Sequence, residues 1–363
     1  MSRLLFFGLR RSFISYSGKL KPQAVISKSS HFRHCLSTSL ALFFSLLSLV
    51  ATAQVSRQFS QYVFSGLTTN PAYAGYKQDW NLNSVYRQQW AGVPGSPTTT
   101  SITLDGLTNI TNERMAVGLE LSSEKLGAQG TTDIYGSYAY RLPLNEEGTS
   151  RLCFGLAMGI SQYSINGTMF QAVDAGDQSV PLNKVSAIIP DARFGLYYYT
   201  PSFYLGGSFL GLFSLSGAKQ YSQGTNTFYG TVKGGHQVYI TSGTIINCTE
   251  TIKLKPSVML SDDFTGNTNV DLNVFLLMNE RLWVGTSYRN GLRIFRKSGS
   301  GLEAVNSMST MIEFYVTDNL RIGYAYDFTT NGISGYQSGS HELSLGLTFH
   351  RTRSPGIICP HYF

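Results

Sequence analysis

His341 and Glu342 stand side by side near the end of the chain, a base beside an acid of the kind proton transfer uses. No nucleophile with suitable spacing accompanies them, so the expectation is a hydrogen-bonded pair at the rim of a strand. Asp262-Asp263 with Asn267 and Asn269 offer the oxygen ligands that suit calcium, but the spacing and closing glutamate of an EF-hand are missing. That cluster reads as a polar turn. Asp174, Asp177 and Asp191 read as solvated loop acids, and His350 and His361 lie near serines without forming a recognisable catalytic set. The chain contains no GxxxxGK, CxxC or HExxH motif. The expectation is a protein without catalytic residues, cofactor or metal.

The remaining charges fall into a pattern. Arg193, Lys253, Lys255, Asp271, Arg281, Glu313, Arg321, Asp327 and Glu342 each oppose a stripe of bulky apolar residues. In 319–328, Leu320, Ile322, Tyr324 and Tyr326 alternate with Arg321, Gly323, Ala325 and Asp327. In 341–350, Leu343, Leu345, Leu347 and Phe349 alternate with Glu342, Ser344, Gly346 and Thr348. The segments 115–122 and 151–160 alternate likewise. Period 2 with charge on one face marks a strand that is apolar outward and polar inward. A Lys or Arg facing lipid at mid-depth costs ~2–4 kcal/mol, so these groups are predicted to face a lumen or to lie at the membrane interfaces. Their mixed signs suit ion pairs across the interior, or the lining of a selective channel.

Fourteen segments carry this pattern: 80–90, 98–107, 114–123, 132–141, 151–162, 190–199, 203–213, 236–245, 252–261, 269–277, 281–290, 307–316, 319–328 and 341–350. Most approach the ~9–11 residues a tilted strand needs to cross a bilayer. The long connections (163–189, 214–235, 291–306, 329–340) follow odd-numbered segments, and the shortest follow even-numbered ones. Long outer loops and short periplasmic turns characterise single-chain outer-membrane barrels. The predicted fold is therefore an all-β, transmembrane antiparallel barrel of about 14 strands.

Composition agrees. Only 13% of residues are charged, against roughly 25% in soluble domains, while Gly (37), Tyr (22) and Phe (22) abound. No apolar run after residue 53 approaches the length of a spanning helix. Residues 36–50 are apolar, follow a basic stretch, and lead to Ala51-Thr52-Ala53, the layout of a signal peptide over 1–53. That leader holds seven of the 28 Lys+Arg and none of the 21 Asp+Glu, leaving the remainder balanced at 21 of each. The basic balance belongs to the leader, so nucleic acid is not an expected partner. Cys153, Cys248 and Cys359 are dispersed and form no disulfide framework. Residues 54–79 precede the barrel segment 80–363. They are aromatic, nearly uncharged after Arg57, and turn at Asn70-Pro71, which predicts either a plug in the lumen or a periplasmic arm. Tyr62, Phe64, Asn70, Pro71 and Tyr73 are its candidate partner-binding residues.

Several blocks carry a resemblance. Gln58-Phe59-Ser60-Gln61-Tyr62, Asn70-Pro71-Ala72-Tyr73-Ala74-Gly75, Tyr86-Arg87-Gln88-Gln89-Trp90, Pro190-Asp191-Ala192-Arg193-Phe194-Gly195, Trp283-Val284-Gly285-Thr286-Ser287-Tyr288-Arg289 and Gly339-Ser340-His341-Glu342-Leu343 occur in this order. The chain resembles the PorP/SprF family, outer-membrane proteins of the type IX secretion system of Bacteroidetes, over essentially all of 58–363. The resemblance implies a component, set in outer-membrane lipid, that meets the secretion machinery on the periplasmic side. It further implies assistance in the secretion or surface anchoring of large clients such as adhesins, work linked to gliding motility. The alternative is an outer-membrane channel for a small or hydrophobic solute. If the leader reading holds, mass spectrometry of the outer-membrane form finds a chain beginning at Gln54; recovery of an intact Met1 form there contradicts it.

Overall fold

The computed structural model describes residues 59–108, 113–170, 181, 183–215, 218–223, 227–233, 235–264, 268–292, 306–330, 335, 337–349 and 362. The predicted leader, Asp174, Asp177, Asn267, His350, His361 and Cys359 lie outside them. Among the described residues seventeen strands follow one another: β1 (Trp80–Gln88), β2 (Thr98–Leu107), β3 (Met115–Leu126), β4 (Gln129–Pro143), β5 (Arg151–Asn166), β6 (Lys184–Tyr199), β7 (Phe203–Leu210), β8 (Ala218–Gln223), β9 (Thr227–Lys233), β10 (Gln237–Thr244), β11 (Ile246–Asn247), β12 (Ile252–Asp262), β13 (Thr268–Met278), β14 (Leu282–Leu292), β15 (Ser307–Tyr315), β16 (Leu320–Thr329) and β17 (Ser340–Phe349).

Fourteen of these are staves of a closed antiparallel barrel. β1 pairs with β2 on one side and with β17 on the other, Trp80 opposite Phe349 and Gln88 opposite His341. β7 pairs with β10, so the β8–β9 hairpin stands outside the ring of staves and meets β6 through Ser186 and Ser222. Closure removes the edges, and with them the unpaired backbone groups that hydrocarbon does not tolerate.

Each stave alternates buried and exposed positions, and exposure tracks apolarity. On β5, Phe154, Leu156, Met158 and Ile160 are exposed, while Cys153 and Ala157 are buried. On β16 and β17, Ile322, Tyr324, Leu343 and Leu345 face out and Arg321, Asp327 and Glu342 face in. Exposed apolar rings with buried charge invert the order of a water-soluble protein, and lipid is the solvent that permits it. Within the described residues no helix is long and apolar enough to cross a membrane.

The longest connections gather at one end, although the two-residue turn 127–128 between β3 and β4 lies there too. At one end the staves join through 200–202, 279–281 and 316–319; at the other through 167–183, 211–236, 293–306 and 330–339. Two features differ from the sequence-based expectation. β5 and β6 are longer than expected, running in register from Arg151–Tyr199 to Asn166–Lys184. The extra turns of this hairpin bury Val185, Ala187 and Ile189 against Tyr163 and Ile165, which supports strand beyond the membrane belt. The hairpin β8–β9 also lies inside what reads as a loop, because its alternation is polar and carries no apolar stripe.

The depth dependence of this belt is testable. Met158 is 59% exposed at the middle of β5, so Met158→Arg is expected to cost ~2–4 kcal/mol in reversible urea unfolding from lipid. Gln162→Arg, two outward positions further along the same stave, is expected to change stability by less than ~1 kcal/mol.

Candidate functional site

Residues 59–79 fill the lumen as a plug. Three short 3-10 turns, Gln61–Phe64, Gly66–Thr68 and Pro71–Tyr73, compact it. The last begins in the manner its sequence suggests: the Asn70 side chain accepts a hydrogen bond from Ala72 N at 2.9 Å and Pro71 holds the first position. Asn70 Nδ2 then donates to Leu196 O on β6 at 2.8 Å, fastening the turn to the wall. Gly155 and Gly195 are required here, because a Cβ on either would overlap the Pro71–Ala72 backbone or the Asn70 amide.

The plug begins at the long-loop end. Ser60 N and Gln61 N donate to the two oxygens of Glu342, each at 2.8 Å, and Ser60 Oγ donates to Asp327 at 2.8 Å. Arg87 completes the node, with Nη1 2.9 Å from Glu342 Oε2 and Nη2 2.5 Å from Asp327 Oδ2. All five residues are buried, and Glu342 is 0% exposed. The chain then descends. Tyr62 Oη bonds Asn273 Nδ2 at 2.6 Å at mid-height, and the Phe64 ring packs 5.3 Å from Phe275 and 6.0 Å from Trp283 toward the short-turn end. Arg321 donates to the Phe64 carbonyl at 3.0 Å and pairs with Glu313 at 3.0 Å. Tyr73 and Tyr76 stack on Tyr197, with Tyr76 also edge-on to Tyr199 at 4.8 Å, and Gly75 N donates to Asp105 at 2.8 Å before β1 begins.

Seven of the nine charges predicted to oppose the apolar stripe are buried on the inner face: Arg193, Lys255, Asp271, Glu313, Arg321, Asp327 and Glu342, while Lys253 is only partly buried. Asp271 takes a bidentate pair from Arg289, both contacts 2.7 Å. Arg193 donates to Glu120 at 2.8 Å and lies 3.5 Å over the Tyr135 ring. Arg281 instead occupies an exposed turn, 3.7 Å from Asp318. Arg87, Glu120, Asp133, Arg141 and Arg289 belong to the interior without having been singled out. The parity of their strands would have found them: Arg87 follows Asn81, Asn83 and Val85 on the buried face of β1.

Burial of the plug acts on its titratable groups. The phenols of Tyr62 and Tyr73 are pushed well above 10 by burial, and the Lys77 ammonium is pushed down to about 7 by burial, reinforced by the Arg321 guanidinium.

The five candidate partner-binding residues also lie within the barrel. Tyr62, Phe64, Asn70, Pro71 and Tyr73 are all buried against the wall, so the segment is a plug and not an extended arm. They reach a periplasmic partner only after leaving the lumen. His341 and Glu342 do not pair with one another. Neighbours on a strand point to opposite faces: Glu342 faces the plug, whereas His341 Nδ1 meets Tyr324 Oη at 2.8 Å on the outer face. Asp262 closes its own turn, accepting from Phe264 N at 2.6 Å and from Thr268 Oγ1. No group of three or more metal-ligating side chains occurs among the described residues. Cys153 is buried and Cys248 exposed, both as free thiols.

An apolar outer belt, a charged interior and a threaded plug define an outer-membrane β-barrel. Residues 51–347 match the family described as type IX secretion system membrane protein PorP/SprF, and the chain belongs to that family. It is thus an outer-membrane barrel component of the type IX secretion system. No curated protein matches the sequence. Solved barrels are similar at low identity. The monoaromatic hydrocarbon channel CymD is 12% identical, over 84% of this chain and 95% of that one, with a TM-score of 0.47. A FadL homologue of Pseudomonas aeruginosa is 12% identical, over 83% and 96%, at 0.46. Omp33 of Acinetobacter baumannii is 11% identical, over 76% and 100%, at 0.39.

Glu342→Ala removes the acceptor of two plug amides and one of the two carboxylates paired with Arg87. Breaking such a buried set costs about 3–5 kcal/mol. The expected outcome is a barrel that still inserts and remains heat-modifiable, but whose segment 59–66 becomes sensitive to added protease; an equally resistant segment would sink the latch.

Proposed function

We propose that this protein is a non-enzymatic component of the type IX secretion machinery that assists the secretion or surface anchoring of large client proteins such as adhesins. The observation that carries the reading, beyond family membership, is the occupied lumen. The plug is bonded or packed against β1, β2, β5, β6, β7, β13, β14, β16 and β17 around the wall. A barrel braced in this way suits a rigid body that presents its rims to partners. The long-loop rim lies outside the cell in this reading, and the short-turn rim meets the machinery in the periplasm.

The alternative, a channel for a small or hydrophobic solute, requires the plug to yield. The two readings separate in one pair of experiments. Deletion of the gene is expected to leave the client cell-associated and absent from the surface, restored by the wild-type gene. The purified barrel in a planar bilayer is expected to show no steady conductance above background. Normal client display in the deletion strain, together with stable solute-selective conductance, contradicts the secretion reading and favours the channel.

A further inference from the structure

At the long-loop end of the closing seam, the outer face of the barrel turns polar where its apolar belt stops. Outward positions on β17 run Leu345, Leu343, His341, and those on β1 run Ser84, Tyr86, Gln88. Leu343 and Tyr86 are 53% and 46% exposed, the last apolar members of their runs. Thr98 and Thr100 continue the polar row on β2. Ladder pairing sets His341 opposite Gln88 on one side and opposite Tyr326 on the other. Such a change from apolar to polar marks the height at which hydrocarbon gives way to headgroups, the level at which aromatic side chains gather in membrane barrels.

The imidazole is held in place there. His341 Nδ1 meets Tyr324 Oη at 2.8 Å, and the Tyr326 ring stands edge-on to the imidazole at 5.1 Å. Tyr326 is itself fixed, its hydroxyl donating to Ser338 O at 2.9 Å and its ring 4.6 Å from that of Phe328. Two polar groups remain unused: neither His341 Nε2 nor the Gln88 side-chain amide has a hydrogen-bond partner among the described residues. Residues directly opposite on antiparallel strands place their Cβ atoms within ~5.5 Å, so both groups reach one shared acceptor. The only carboxylates on β1, β16 and β17 are Asp327 and Glu342, and both turn inward to Arg87. The outer face of these staves therefore offers hydrogen-bond donors to an anion and no acid to repel it.

We propose that His341 and Gln88 bind the phosphate of a membrane lipid at the seam. The occupant is a lipid because the pair is continuous with the lipid-facing belt: a chain anchored there runs down Tyr86, Leu343 and Leu345. Binding selects the imidazole with its proton on Nε2, and Tyr324 is a positioning residue that holds the other nitrogen. The inference needs the barrel to lie in lipid and is independent of the secretion reading.

The test is native mass spectrometry of the full-length protein in detergent, titrated with phosphatidic acid and with diacylglycerol of the same chains. One phosphatidic acid is expected to bind saturably, at least tenfold more tightly than the diacylglycerol. His341→Leu and Gln88→Leu are each expected to weaken it about tenfold, the loss of one hydrogen bond to a charged group, and Tyr324→Phe several-fold. Thr100→Leu, at an exposed position on the neighbouring stave, is expected to leave binding unchanged. Equal affinity of the wild type for the two lipids, a comparison that needs no variant, overturns the proposal. So does wild-type affinity in both His341→Leu and Gln88→Leu, or displacement of the lipid by inorganic phosphate at the same concentration.

Discussion

Charge buried where water is scarce must be matched by charge, and the node of Ser60, Gln61, Arg87, Asp327 and Glu342 is where the plug helps the barrel meet that demand. Arg87 alone could not satisfy two carboxylates, and two strand carboxylates could not remain ionised without it. The plug supplies what the wall lacks: two backbone amides and a hydroxyl. The node thus ties the first stave, the last two staves and the beginning of the plug into one unit, at the seam where the barrel closes.

From that seam the remaining geometry follows. Staves that expose Leu, Ile, Phe and Tyr to lipid must turn their small and charged residues inward, and fourteen such faces enclose a space too wide for side chains alone to fill. The plug fills it with aromatic rings at the short-turn end and hydrogen bonds higher up. Gly155 marks where plug backbone meets wall backbone, and Gly195 where the Asn70 amide presses on the wall. The charged pairs gain little over apolar packing in free energy, but each is set so that removing one member strands the other. The interior therefore specifies a single seat for the plug, and the rims are left as the surfaces that meet partners.

The staves were legible because lipid leaves period 2 in the sequence. Leu343, Leu345 and Leu347 opposite Glu342, Ser344 and Gly346 announce both the strand and its inward face. The same parity explains why seven of the nine charges assigned to that face share the interior, and why Arg87 belongs with them. The path of the plug was not legible. Its aromatic, uncharged composition suits a docking arm as well as a lumen filler, and only the contacts of Ser60 with Glu342 and of Phe64 with Trp283 show which end it starts from. The His341–Glu342 pairing misled for a related reason. Adjacency in sequence suggests contact, while a strand sends neighbours to opposite faces. The outer hairpin β8–β9 left no signal, since a strand outside the membrane needs no apolar stripe.

The most direct test of the account is amide hydrogen exchange of the wild-type protein in lipid nanodiscs, read for the plug residues 60–76. If these residues are seated as described, their amides exchange as slowly as those of staves β1 and β17, with Ser60 and Gln61 among the protected ones despite lying outside regular strand. Exchange of this segment at the rate of the long connections would contradict a fixed plug, and with it the view that the lumen is held closed by its own chain.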